Sequence, residues 1–189
     1  VSMEQRDQLV DFAVRNDLWI ISDEVYDRII YNEVHVSFLG AGHDKLFLIN
    51  SFSKTFAMTG WRIGYIISPD EDAMVQINKM QYYVTACSND AMQYAVLSAL
   101  ENASDYPDMM RDEFKSRRDL ICMRLNAMPG VTCHVPQGAF YVFPKVEVEG
   151  YNSKQLALKI LELGGVLCSP GTAFGKAGEG HLRFAYTID

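Results

Sequence analysis

The chain has 189 residues, with 24 acidic side chains against 17 basic ones and a formal net charge of -7 at pH 7. Apolar residues make up 49% and charged residues 22%, a globular balance that excludes disorder, collagen and low complexity. The acidic balance and scattered Lys and Arg argue against nucleic acid as a partner, and no apolar run approaches the ~18 residues of a membrane span.

The length suits one domain of usual size plus part of another. Val1 is not an initiator Met, and Asp189 follows an apolar segment by three residues. The chain therefore reads as a piece of a longer one. Ser2 to Asn16 is expected to be a helix, with Ser2 and Gln5 as a capping box and Leu9, Phe12 and Ala13 on one face. Leu18 to Ser22, Lys45 to Asn50 and Arg62 to Ile67 read as three buried strands. Over twenty residues separate the first two, enough for a parallel crossover, whereas eleven separate the second and third. The third strand is therefore expected to run antiparallel to the second.

Pro69 to about Asn102 reads as two helices broken near Cys87-Ser88-Asn89, with Ala91, Tyr94, Ala95 and Leu97 facing the core. Tyr106 to Met128 reads as one long amphipathic helix with Met110, Phe114, Ile121, Leu125 and Met128 as its apolar stripe, ended at Pro129-Gly130. Val131 to Val135 and Ala139 to Phe143 are expected to pair across a turn at Pro136-Gln137-Gly138. A helix over Ser153 to Leu163 and short strands at Val166 to Cys168 and His181 to Tyr186 complete the chain. Residues 1–104 thus read as α/β, and 105–189 as a smaller α+β unit hung on the long helix.

Cys87, Cys122, Cys133 and Cys168 lie far apart, with no CxxC and no paired CxxH. That spacing makes neither a disulfide framework nor a zinc site. Free buried thiols in a reducing, cytoplasmic compartment, and no bound metal, are expected. Asn102-Ala103-Ser104 fits a glycosylation sequon, a pattern of low specificity.

The chemistry concentrates in Ser51-Phe52-Ser53-Lys54-Thr55-Phe56-Ala57-Met58-Thr59-Gly60-Trp61-Arg62. This segment follows a strand's carboxyl end, where open α/β sheets bind ligands. Hydroxyls and an arginine fork suit a phosphate, and a lysine beside them can form a Schiff base with an aldehyde. Taken alone, the segment reads equally as a polar surface loop. Asp23 also ends a strand, with Tyr26 three residues on. A carboxylate there can keep a pyridinium nitrogen protonated, making the ring an electron sink, or simply cap a turn.

Together these residues resemble a known family. Ser51-Phe52-Ser53-Lys54 with Gly60-Trp61-Arg62-Ile63-Gly64-Tyr65 is similar to the lysine motif of class I/II aminotransferases, the fold-type I enzymes that use pyridoxal 5′-phosphate. Ile21-Ser22-Asp23-Glu24-Val25-Tyr26 resembles their aspartate motif. Gly138-Ala139-Phe140-Tyr141 and Ser169-Pro170-Gly171-Thr172-Ala173-Phe174-Gly175 resemble landmarks of their small domain, and His181-Leu182-Arg183-Phe184 resembles their carboxylate-binding segment. The resemblance implies that Lys54 holds the cofactor as an internal aldimine and shuttles a proton. It implies that Asp23 pairs with the pyridine nitrogen, Tyr26 with the ring oxygen, Ser51, Ser53 and Arg62 with the phosphate, and Arg183 with the substrate α-carboxylate.

The implied fold is the C-terminal part of the fold-type I large domain plus an α+β small domain. The implied partners are an amino acid, a 2-oxo acid and a second copy of the protein in a homodimer. The family's glycine-rich phosphate turn, its ring-stacking aromatic and its asparagine at the ring oxygen have no counterpart in this sequence. The 189 residues alone are therefore expected to bind the cofactor poorly and to turn over little. A carbon–sulfur lyase or another enzyme of the same fold, and a non-catalytic regulator domain, share these features. A serine acyl enzyme reading of Ser51-x-x-Lys54 lacks its further motifs, and a P-loop at Gly171 has the wrong spacing.

Overall fold

Ser2 and Gln5 close a reciprocal cap: the Ser2 hydroxyl accepts the Gln5 N–H at 3.2 Å, and the Gln5 side chain accepts the Ser2 N–H at 2.8 Å. This cap starts α1 (Met3–Arg15) where the sequence places it. The computed structural model describes residues 1–188. The chain divides into two compact units, Val1–Met109 and Met110 onwards.

In the first unit, β1 (Ile20–Asp23) and β2 (Leu46–Ser51) pair in parallel, with Ile20 opposite Leu46 and Asp23 opposite Ile49. A one-turn helix, α2 (Phe52–Thr55), and a 3-10 turn over Thr59–Trp61 lead into β3 (Gly64–Ile67). β3 runs antiparallel to β2, with Ser51 opposite Gly64, the direction the short connection requires. The strand order is β1-β2-β3, so β2 is central. Leu46, Leu48 and Asn50 are buried in it. β1 and β3 were expected to be buried too, but they form the edges of this sheet: Ile21 is 67% exposed and all four residues of β3 are exposed.

The buried stripe of α1 is Val10 and Ala13 rather than Leu9 and Phe12. It is rotated by one position, so Leu9 and Phe12 instead line an apolar hollow with Trp19 and Phe38. Asp70 caps α3 (Glu71–Thr85) by accepting the Ala73 N–H at 2.8 Å, and Asn89 caps α4 (Asp90–Asn102) by accepting the Met92 N–H at 3.2 Å. The break lies where the sequence places it. Within α4, however, Val96 is the buried residue, while Tyr94 and Leu97 are exposed. The outer half of α3 displays Met80, Tyr83 and Val84.

α5 spans Tyr106–Asn126. Its buried line is Phe114, Arg118 and Cys122, with Met128 beyond the helix exposed. The second unit then adds β4 (Val131–Thr132), β5 (Tyr141–Val142), β6 (Lys145–Val146), α6 (Ser153–Gly164), β7 (Ser169–Pro170) and β8 (Leu182–Ala185). The expected hairpin between residues 131–135 and 139–143 does not form. β4 pairs with β6, and β5 pairs with β8, which also takes β7.

Side chains from α5 explain the difference. Asn126 donates to the Cys133 carbonyl at 2.9 Å and accepts the Cys133 N–H at 2.8 Å, and Arg118 donates to the Pro136 carbonyl at 3.1 Å. These backbone groups are satisfied by the helix instead of a neighbouring strand. The strand expected at Val166 to Cys168 does not include those residues; it starts three residues later, at Ser169, and covers only Ser169–Pro170. A Cβ on Gly171 would land on the backbone of Gly178, so the turn after β7 needs glycine at both positions. Two of the four thiols, Cys122 and Cys133, are buried, whereas Cys87 is exposed. Among the described residues no helix is long and apolar enough to cross a membrane, and no group of three or more His, Cys, Asp or Glu is placed to hold a metal.

Candidate active site

Ser51 ends β2 and Lys54 sits on α2 directly after it. The Ser51 hydroxyl does not cap α2, so its oxygen is not used to start the helix. Thr59 donates its hydroxyl to the Ser53 carbonyl at 3.0 Å, tying the following turn back to α2. Arg62 then takes a left-handed backbone conformation with φ 57°. Such strain in a residue other than glycine costs about 1–3 kcal/mol and marks positions held for a purpose. Its guanidinium donates to the Thr59 carbonyl at 2.9 Å.

The result is a cavity of about 470 Å³ lined by Ser51, Ser53 and Arg62 together with Asn78, Gln81 and Ser88. Gly64 is part of this wall because a Cβ there would stand 2.7 Å from the Asn50 carbonyl. The three residues expected to bind a phosphate are thus brought together. Two hydroxyls and a guanidinium lining one cavity supply the donors that anion takes.

Lys54 and Tyr26 form a second grouping. The Lys54 Nζ lies 5.8 Å from the centre of the Tyr26 ring, a cation–π arrangement. Asp23 is at the carboxyl end of β1, and its Oδ1 accepts the Val25 N–H at 3.3 Å. It lines the apolar hollow beside α1 rather than the cavity that Ser51, Ser53 and Arg62 line. Arg183 lies on β8 in the second unit, opposite Ser169. Its guanidinium stacks 4.6 Å from the ring centre of Tyr141 and 4.3 Å from that of Phe174. Two aromatic faces therefore hold the fork in one plane.

Several polar residues of the first unit were not singled out from sequence. Asn50 is buried and its side-chain Nδ2 donates to Asp27 Oδ2 at 3.0 Å, while its side-chain Oδ1 accepts the Ser51 N–H at 2.7 Å. The buried Glu24 carboxylate accepts from the Ser22 hydroxyl, the Phe38 N–H and His35 Nε2, at 2.9, 2.9 and 2.7 Å. Burial pushes the Glu24 carboxyl up, but hydrogen bonds from His35, Phe38, Ser37 and Ser22 outweigh it and hold the group below its usual range. Burial, then the Asp27 and Glu24 carboxylates, push the Tyr65 phenol up. One signal points to Glu24: it directly follows β1 and lies two residues from Ser22, so continued extended backbone puts the two on one face.

The chain belongs to the aminotransferase class I and II family, whose model matches residues 1–189. It is 40% identical over 185 residues to an aspartate aminotransferase of Pyrococcus abyssi, covering 95% of this chain and 47% of that protein. It is 38% identical to aromatic-amino-acid aminotransferase 2 of Thermococcus litoralis, again covering 95% and 47%. Among solved structures, an aromatic aminotransferase from Pyrococcus horikoshii superposes with a TM-score of 0.92 at 36% identity, over 100% of this chain and 52% of that one. The fold is one part of the aspartate-aminotransferase type, fold type I, as the motifs implied. The chain spans about half the length of the curated relatives it matches.

Proposed function

We propose that this chain carries the lysine-bearing part of a pyridoxal-phosphate-dependent aminotransferase, which moves an amino group between an amino acid and a 2-oxo acid. The observation that carries this reading is the convergence of Ser51, Ser53 and Arg62 on one cavity, immediately beside Lys54 at the carboxyl end of β2. When bound, pyridoxal 5′-phosphate supplies an electron-withdrawing ring that stabilises negative charge at the substrate α-carbon.

The chain's own groups do the rest. Ser51, Ser53 and Arg62 bind the phosphate oxygens by charge-assisted hydrogen bonds. Asp23 keeps a proton on the ring nitrogen, and the Tyr26 phenol donates to the ring oxygen. Lys54 would supply the amine that holds the cofactor and, once the substrate's amine has displaced it, would carry the proton at the α-carbon. Arg183 takes the substrate carboxylate with both arms of its fork. Residues 1–104 are assigned to the cofactor domain and 105–189 to the small domain. The working protein is proposed to be a cytoplasmic homodimer, as the family resemblance implies.

The test is to incubate the chain with pyridoxal phosphate, reduce with borohydride and map the modified lysine by mass spectrometry. A phosphopyridoxyl group on Lys54, absent in Lys54→Ala, is expected. Labelling spread evenly over the other lysines overturns the reading. Trapping reads the link even at low affinity, because the cofactor concentration can be raised.

A further inference from the structure

The Glu24 carboxylate is 6% exposed yet makes three hydrogen bonds, to a hydroxyl, a backbone N–H and an imidazole. Its backbone N–H also donates to the Ile49 carbonyl at 2.8 Å, continuing the β1–β2 ladder one residue past Asp23. A buried acid–histidine pair is seldom an efficient source of stability, since apolar replacements of similar volume are often as stable. Such pairs are best attested as devices that fix register.

The geometry suits that role. Side chains alternate faces along a strand, so Ser22 and Glu24 point one way while Ile21 and Asp23 point the other. Pinning the Glu24 carboxylate to His35 and the Phe38 N–H, with the Ser22 hydroxyl donating to the same carboxylate, opposes a one-residue slip, and such a slip would carry Asp23 to the wrong face. The Glu24 carbonyl accepts the Asp27 N–H at 3.0 Å, and the Tyr26 carbonyl accepts the Ile29 N–H at 2.9 Å. The turn that presents Tyr26 is thus built directly on the pinned residue.

We infer that His35, acting through Glu24, is a positioning residue that locks the register at the end of β1 and so presents Asp23 and Tyr26 to the cofactor site. The cofactor part of this statement rests on the reading given under Proposed function. The lock itself is a property of the chain.

The experiment compares His35→Ala and His35→Gln with the unsubstituted 189-residue chain. Gln places a donor nitrogen at a reach similar to that of imidazole Nε2. Backbone hydrogen exchange reads the lock, and borohydride trapping of pyridoxal phosphate on Lys54 reads its consequence. His35→Ala is expected to speed exchange at the Glu24 and Asp27 amides about tenfold or more, the scale of one lost hydrogen bond to a charged group. Exchange at the Leu48 and Ile66 amides stays unchanged, trapping falls several-fold, and His35→Gln restores both readouts. Unchanged exchange at Glu24 and Asp27 in His35→Ala overturns the lock, as does a loss that His35→Gln does not recover, whether or not cofactor binds. Failure to trap cofactor on the unsubstituted chain overturns the cofactor reading alone, and exchange then decides the lock.

Discussion

Lys54 holds its Nζ 5.8 Å above the Tyr26 ring, although the two residues belong to different strand-end segments. The parallel pairing of β1 with β2 makes this possible, because both carboxyl ends finish on the same side of the sheet. Tyr26→Phe keeps the ring under the ammonium and removes the phenol. It is expected to raise the cofactor concentration for half-maximal trapping at Lys54 two- to tenfold, matching about 0.5–1.5 kcal/mol for one hydrogen bond. Tyr26→Ala removes the ring as well and is expected to raise it further.

The stacked Arg183 gives a second expectation. Lysine cannot reproduce a planar fork between two rings. Arg183→Lys is expected to weaken binding of a 2-oxo acid about tenfold or more, the scale of a lost bidentate pair, measured by calorimetry in the presence of cofactor. Its unfolding free energy from urea titration should change by about 1 kcal/mol or less, because that stacking is a modest contribution.

Asn126 tests the second unit. It serves both the N–H and the carbonyl of Cys133, so Asn126→Ala leaves two backbone groups unpaired. A loss of about 1–3 kcal/mol is expected, read from urea unfolding. Asn126→Asp keeps the acceptor for the Cys133 N–H and loses the donor, and should fall between the two.

Acid stability should report Glu24. Its folded value lies below the ordinary 4.5, so its contacts stabilise the fold above that pH and are lost as pH falls through the lower folded value. Glu24→Gln is expected to lower stability at neutral pH and to flatten the acid limb of the curve below about pH 4.5. Urea midpoints across that range measure both effects.

The cysteines should separate by environment. Burial, and the neighbouring Cys122, push the Cys133 thiol up to about 12, and burial raises Cys122 as well. At about pH 8 iodoacetamide should alkylate the exposed Cys87 first and leave Cys122 and Cys133 intact. Peptide mapping shows the order.

What the sequence made legible was contiguous. The lysine segment packs hydroxyls, lysine and arginine into twelve residues after an apolar run, and one strand end suffices to gather them. The Ser2 cap acts within three positions of itself, so local pattern reveals it too. The Glu24–His35 pair spans eleven positions and the Asn50–Asp27 pair twenty-three, and nothing in spacing announces either. The hairpin after α5 failed for the same reason. Asn126 and Arg118 compete for backbone groups that a strand pattern assigns to a neighbouring strand. Burial on β1 and β3 was misjudged because an apolar run shows that a strand is suited to burial, not that a layer covers both of its faces.

The outer half of α3 carries a practical consequence. Tyr83 and Val84 are 83% and 71% exposed, and the chain's pI is about 5.1. Near that pH mutual charge repulsion vanishes while the greasy helix face remains on display, so colloidal clumping competes with every measurement. Buffers well above the isoelectric point keep molecules apart, and precipitation on mild acidification should precede any unfolding.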